Sequence, residues 1–233
     1  MPRPLRPIDD GLIYHVINRG NNRQDVFRKR GDFEAFIGAL ADLKERKPFD
    51  LYGYCLMSNH FHLLLRPTGA TISRILQSLL VSHTQRYHKH HRSGGHVWQG
   101  RFKSPVIQTD EHLLTVLRYI EANPLRAGLV SRADEYPWTS YHVHGLGATS
   151  ELVDRLMTYE DLSPHAKIRQ RKWAQKVHAP IEEPTLARIR RSSASGLPYG
   201  EEGWVKRLAK RLDLDLVIRP RGRPPKPITD RNK

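Results

Sequence analysis

The residue pattern predicts an α+β fold: a ferredoxin-like (split β-α-β) antiparallel sheet with helices on one face. Three observations predict it. Two short runs of strand composition are separated only by Ser58-Asn59, which makes them a hairpin. A helical repeat of apolar residues stands on either side of that hairpin. A strand-like run opens the series and another closes it, so the order is strand, helix, strand, strand, helix, strand.

Residues 11–18 are rich in β-branched and aromatic types and read as the first strand. Arg19, Gly20, Asn21, Asn22 and Arg23 follow as a polar loop. Asp32 reads as an N-cap, and Phe33, Phe36, Ile37, Leu40 and Leu43 then recur at helical spacing. Lys44, Arg46 and Lys47 suit the end of that helix, and Pro48 stops it. The hairpin strands are 51–57 and 60–66. Thr71 caps the second helix, whose buried stripe is Ile72, Ile75, Leu76, Leu79 and Leu80. Its far end, from Gln85 to Arg92, reads as a solvated basic terminus rather than a second metal site, and Ser93-Gly94-Gly95 breaks it. Residues 103–108 form the fourth strand.

A further helix starts at Thr109-Asp110-Glu111, an N-cap followed by acids, and runs through Asn123 until Pro124 stops or kinks it. Leu113, Leu117 and Ile120 are its buried stripe. Trp138 and Tyr141 are expected packing anchors in the turn-rich stretch that follows. The main domain is therefore 1–147. Residues 148–180 form a basic helical connector, and 181–217 a small helical, helix-turn-helix-like appendage. Residues 218–233 cannot bury a core and read as a disordered basic tail. Its Arg-Gly-Arg-Pro resembles an AT-hook, in which Arg221 and Arg223 would enter an A·T minor groove. Phosphate binding without sequence preference is the equal alternative.

Charge narrows the partners. Against 24 Asp+Glu stand 39 Lys+Arg, a formal net charge of +15 and a pI near 10.2, which favours nucleic acid over membrane. The 59 residues between Asp50 and Asp110 contain no acid, yet hold Arg66, Arg74, Arg86, Lys89, Arg92, Arg101 and Lys103. No run is long and apolar enough for a membrane span, and no apolar segment follows the basic start as in a signal peptide. Cys55 is the only cysteine, which excludes an intramolecular disulfide and a cysteine zinc site. A cytoplasmic, nucleoid-associated protein is expected.

Within the acid-free stretch, His60, His62 and Leu64 share one strand face, and Phe61, Leu63 and Leu65 the other. The apolar set reads as core, and the two imidazoles are spaced to grip one metal ion on the free face. Tyr119 lies one residue-step off the buried stripe of its helix, with Asn123 one turn beyond. Taken singly, each pattern is more often structural.

Taken together they resemble the REP-associated tyrosine transposases, within the wider single-tyrosine HUH transposases of bacterial insertion sequences. The resemblance spans residues 9–142. It rests on Tyr-His-Val-Ile-Asn-Arg-Gly-Asn-Asn-Arg (14–23), Tyr-Cys-Leu-Met-Ser-Asn-His-Phe-His-Leu-Leu (54–64), Gln-Gly-Arg-Phe-Lys-Ser (99–104) and Arg-Tyr-Ile-Glu-Ala-Asn-Pro-Leu-Arg-Ala-Gly-Leu-Val (118–130). It implies that His60 and His62 ligate a divalent metal ion, Mg²⁺ or Mn²⁺, with Asn123 as third ligand, and that Tyr119 is the nucleophile. It also implies nicking of single-stranded DNA at hairpin-forming palindromic repeats through a 5′-phosphotyrosine, followed by rejoining. The 1–147 domain would then be catalytic. The residue types suit the chemistry: a phosphodiester needs a cation on its non-bridging oxygens, and a phenolate leaves readily enough to keep the link reversible. No Walker A loop is present, as expected for a reaction that conserves bond energy.

Arg19, Asn21, Arg23, Arg101 and Lys103 are candidates to position phosphates. Tyr87, Trp98 and Phe102 are candidates to stack unpaired bases, with at least one of them expected in the core. A non-catalytic DNA-binding protein derived from a transposase is the main competing reading. An RNA-binding ferredoxin-like domain is the third, weakened by histidines where stacking rings are wanted. The sequence leaves open which repeat is bound, and whether Tyr119 serves its own chain or its partner in a homodimer.

Overall fold

The computed structural model describes residues 11–109 and 111–217. Their order is β1 (Ile13–Arg19), α1 (Arg30–Arg46), β2 (Phe49–Met57), β3 (His60–Pro67), α2 (Ile72–His91), β4 (Val106–Ile107), α3 (Glu111–Glu121), α4 (Asn123–Arg126), α5 (Tyr141–His144), α6 (Met157–Glu160), α7 (Ala166–His178), α8 (Glu183–Ser195) and α9 (Glu202–Arg211). The sheet runs β2-β3-β1-β4 with all neighbours antiparallel, as a split β-α-β requires.

Register decides which side chains share a face. Arg19 stands opposite His60, Ile17 opposite His62 and His15 opposite Leu64, while β2 sets Cys55 beside His62. Tyr14, Val16, Phe61, Leu63 and Leu65 therefore point the other way, where they pack with Phe36 and Leu40 of α1 and Ile75, Leu76 and Leu79 of α2. These two helices lie on one face, as expected.

The histidine-bearing face is not left bare. Ile13, Leu64 and Ile107 form a second core with Leu113, Val116, Leu117 and Ile120 of α3, because an amphipathic helix needs an apolar counter-surface. Trp173 and Val177 of α7 and Leu186 and Ile189 of α8 complete it. Segments read from the sequence as a connector and an appendage thus supply core residues, and Trp173 is 0% exposed. Gly53 allows the close approach of α3: a Cβ there would run into Leu117 Cδ1 and lie 3.1 Å from Ser140 Oγ.

Several boundaries differ from expectation for identifiable reasons. Asp32 is the third residue of α1, not its N-cap; its Oδ2 accepts from the backbone N–H groups of Arg28 (2.8 Å) and Lys29 (3.0 Å). Thr71 does cap α2, its side chain accepting from Arg74 N. The expected fourth strand begins irregularly, since Pro105 has no N–H to give the ladder, although Lys103 and Ile17 exchange backbone bonds. Tyr199 covers the open edge: its N–H donates to Val106 O, and its carbonyl accepts from Gln108 N. The helix carrying Tyr119 stops at Glu121 instead of running through Asn123. Pro124 cannot donate to the carbonyl four residues back, so Ala122 turns out of line and α4 starts anew.

Trp138 stacks on Phe33 (4.6 Å, 14°), and Tyr141 is buried, both as expected. His91 is less solvated than its basic surroundings implied, because its Nε2 meets the Asp32 carboxylate at 3.1 Å. The tail with Arg221 and Arg223, and the expected cap residue Asp110, lie outside the described residues. Among the described residues, no helix is long and apolar enough to cross a membrane.

Candidate active site

Three loops fasten together at the His60 end of the sheet. Gly20 N donates to Asn59 O, Asn21 N to Val97 O and Gln99 N to Arg19 O, each at 2.8 Å. Val26 and Phe27 both donate to Ser58 O, and Asn59 Nδ2 donates to Arg23 O. Gly20 is needed there, since a Cβ would strike Gln24 O. The hairpin turn before His60 is thus held from both sides.

His60 and His62 have ring centroids 5.1 Å apart, at 86° to one another. The Nδ1 of each is engaged. His60 Nδ1–H donates to Asn59 Oδ1 (2.6 Å), and His62 Nδ1 shares a hydrogen bond with His15 Nε2 (2.9 Å). The His15 and His62 rings are inclined by 26°, with centroids 5.0 Å apart. The Nε2 atoms of His60 and His62 have no hydrogen-bond partner among the described residues. Burial, then the charges of Arg19 and Arg126, pull the His60 pKa down to about 4. Burial, then Arg126, takes His15 to about 3. Burial and the neighbouring histidines hold His62 well below its usual range. All three imidazoles are therefore neutral near pH 7, the state in which a ring nitrogen has a lone pair to offer a metal.

Tyr119 approaches from α3. Its ring lies edge-on to His62 (5.8 Å, 89°) and to His15 (6.0 Å). One chain thus brings His60, His62 and Tyr119 together. Asn123, the first residue of α4, is 8% exposed, and its side-chain amide forms no hydrogen bond among the described residues. No group of three or more His, Cys, Asp or Glu suited to a metal ion occurs among the described residues. An ion here would depend on two imidazoles, a neutral oxygen such as that of Asn123, and oxygens from substrate or water. That donor set is chemically sound for Mn²⁺ or Mg²⁺.

Of the expected DNA contacts, Arg19, Arg23 and Arg101 are exposed near the loop junction, and Asn21 is partly covered. Lys103, opposite Ile17, stands on the histidine face. Tyr87 and Phe102 are buried, Tyr87 donating to Asp25 O, which takes both away from bases, whereas Trp98 packs edge-on to Phe61 and is only partly buried. Sequence reasoning assigned no role to His15 or Arg126. Both lie inside the segments that carried the resemblance, but only strand register and helix packing show what they face.

Fold and site now define the class of protein. Residues 10–123 match the family model described as "Transposase IS200 like", and over that span the chain resembles this family. The chain is also similar to two proteins named as REP-associated tyrosine transposases. The one assigned in Haemophilus influenzae is 28% identical over 119 residues, covering 46% of this chain and 67% of that protein. The one from Escherichia coli K12 is 22% identical over 138 residues, 58% of this chain and 79% of that one. A solved structure of a REP-associated tyrosine transposase bound to a REP hairpin shares the fold across 66% of this chain and 98% of its own, with a TM-score of 0.52 at 17% identity. These likenesses support a transposase-type, DNA-binding and DNA-processing function.

Proposed function

We propose that the protein is a metal-dependent single-stranded DNA nickase and strand transferase acting through Tyr119 at hairpin-forming repeats. The observation that carries this reading is the meeting, within one chain, of the Tyr119 ring with His62 at 5.8 Å beside the His60–His62 pair. His60 and His62 would hold a divalent ion, with Asn123 as third ligand. His15 fixes the tautomer of His62: by accepting from Nδ1–H, it leaves the Nε2 lone pair for the metal. Such an ion would supply positive charge at the scissile phosphate. Tyr119 Oη forms a bond to phosphorus while the P–O3′ bond breaks. The phenolic proton ends on the 3′-oxygen, giving a 5′-phosphotyrosine and a free 3′-OH. A 3′-OH attacking the same phosphorus reverses the step and seals a strand. The exposed Arg19, Arg23 and Arg101, with Lys103, position the backbone, and the basic tail holds the duplex stem.

The test is incubation with hairpin-bearing single-stranded DNA and Mn²⁺, followed by mass mapping of any DNA-linked peptide. The wild-type adduct should map to Tyr119. Tyr119→Phe should form none, while binding the same DNA within about threefold of wild type, since one hydroxyl is removed and no phosphate-binding cation is touched. An adduct persisting in that variant would refute the assignment. DNA bound but never cut, with Mn²⁺ and Mg²⁺ both tried, would leave a DNA-binding protein without catalysis.

A further inference from the structure

Arg126 is the last residue of α4 and is only partly exposed. Its Cζ lies 4.0 Å from the centre of the Tyr119 ring, and its Nη1 donates to Tyr119 O at 2.7 Å. It forms no ion pair among the described residues. Burial lowers its pKa, so it is a cation held where water is scarce. The groups that favour its charged form are the Tyr119 phenol, which also shares a side-chain hydrogen bond with it, and the buried Cys55 thiol; no Asp or Glu is among them. Arg190 of α8 adds a like charge, and Arg19 acts beside it on His60 and His62. Both Glu121 oxygens are committed elsewhere, to Ser140 and His144 and to Trp173. A desolvated cation without a counter-charge is costly, and the natural remedy is an anion that arrives with the ligand.

We propose that Arg126 is a catalytic residue of this site, its free guanidinium edge taking a non-bridging oxygen of the scissile phosphodiester. The proposal rests on the reading of Tyr119 as nucleophile. One edge of the planar group is pinned to the Tyr119 carbonyl, and its face lies on the phenol ring. The remaining donors are left for an oxygen brought against Tyr119 Oη, and a planar fork suits phosphate. Such an oxygen gains negative charge as phosphorus is attacked, so the contact strengthens in the transition state. A purely structural Arg126 would instead clasp the α3–α4 junction and see no phosphate.

Two measurements on the full chain separate these roles. In the first, the Arg126 Nε–H resonance is followed during titration with dimethyl phosphate, a phosphodiester probe that requires no catalysis. A saturable shift is expected, absent with acetate; no shift would overturn the proposal. In the second, covalent adduct rates with Mn²⁺ are compared on oligonucleotides carrying either phosphodiester or one resolved methylphosphonate isomer at the linkage cut. Arg126→Ala should be slower on the phosphodiester by on the order of 100-fold. On the isomer that lacks the charged oxygen facing residue 126, it should fall within a few-fold of wild type. Arg126→Lys should be intermediate. An equal penalty on every linkage would mean a structural clasp and overturn the proposal. A saturable shift without any wild-type adduct would uphold the anion contact and sink the nickase reading instead.

Discussion

The Nδ1 atoms of both candidate ligands are engaged, and the two engagements differ in kind. His60 donates to a loop amide one residue away, whereas His62 is tied to a second buried imidazole, His15, on the neighbouring strand. If His15 serves to hold the Nε2 lone pair of His62 outward, removing its acceptor should weaken the metal and not merely loosen the strand. His15→Phe is expected to lower Mn²⁺ affinity by about 10–100-fold in DNA-free protein, measured by electron paramagnetic resonance. His15→Gln retains an acceptor and should recover most of that loss. Equal affinities in all three proteins would show that His15 is core packing only. That His60 and His62 share a face was legible from a strand period of two, whereas Tyr119 was singled out by the resemblance its segment carries, since its place one step off the apolar stripe alone reads as a core edge. His15 was not, because its partner is 47 residues away and only register brings the two together.

The helix that carries the tyrosine is positioned by a buried acid. Glu121, at the end of α3, is 0% exposed. Its Oε1 accepts from Ser140 Oγ (2.5 Å) and His144 Nδ1 (2.6 Å), and its Oε2 from Trp173 Nε1 (2.7 Å). One carboxylate thus ties α3 to α5 and α7, two residues from Tyr119. Glu121→Ala strands three buried donors and leaves a void, and should cost about 3–5 kcal/mol in urea unfolding at pH 7. A loss below about 1 kcal/mol would mean that water or repacking replaces the carboxylate. The apolar stripe of α3 was readable from its spacing, and Pro124 marked the neighbourhood of its end. The hub was not readable. An acid on an amphipathic helix ordinarily faces water, and the Trp173 indole that buries this one lies 52 residues downstream. The same long-range packing explains why the histidine face is covered. The α7 sequence reads as a basic helix because its exposed Lys and Arg outnumber the two side chains, Trp173 and Val177, that it buries.

Across the whole molecule, the basic charge and the acid-free middle of the chain were open to reading from composition, whereas the number of histidines taken out of water was not. The protein has 13 histidines, and His15, His62 and His83 are among the buried ones. His83 lies outside the candidate site, in the first core, with its Nε2 at 3.1 Å from Val26 O, and burial pulls its pKa down to about 4. In the unfolded chain the same group titrates at its ordinary value near 6.5. Between those values the unfolded state binds a proton that the folded state refuses, so stability rises with pH there and falls as the solution is acidified. The contribution is fully present above about pH 6.5 and declines by about 1.4 kcal/mol per pH unit toward pH 4. His15, held to about 3, acts with the same sign over a wider window. Urea unfolding of metal-free protein should therefore show stability dropping steeply from pH 7 to pH 5. His83→Gln keeps a donor for Val26 O but cannot take up a proton, so its curve should be shallower by about one proton below pH 6.5. Parallel curves for wild type and variant would mean that His83 keeps an ordinary pKa in the folded chain and that other groups set the acid limit of the fold.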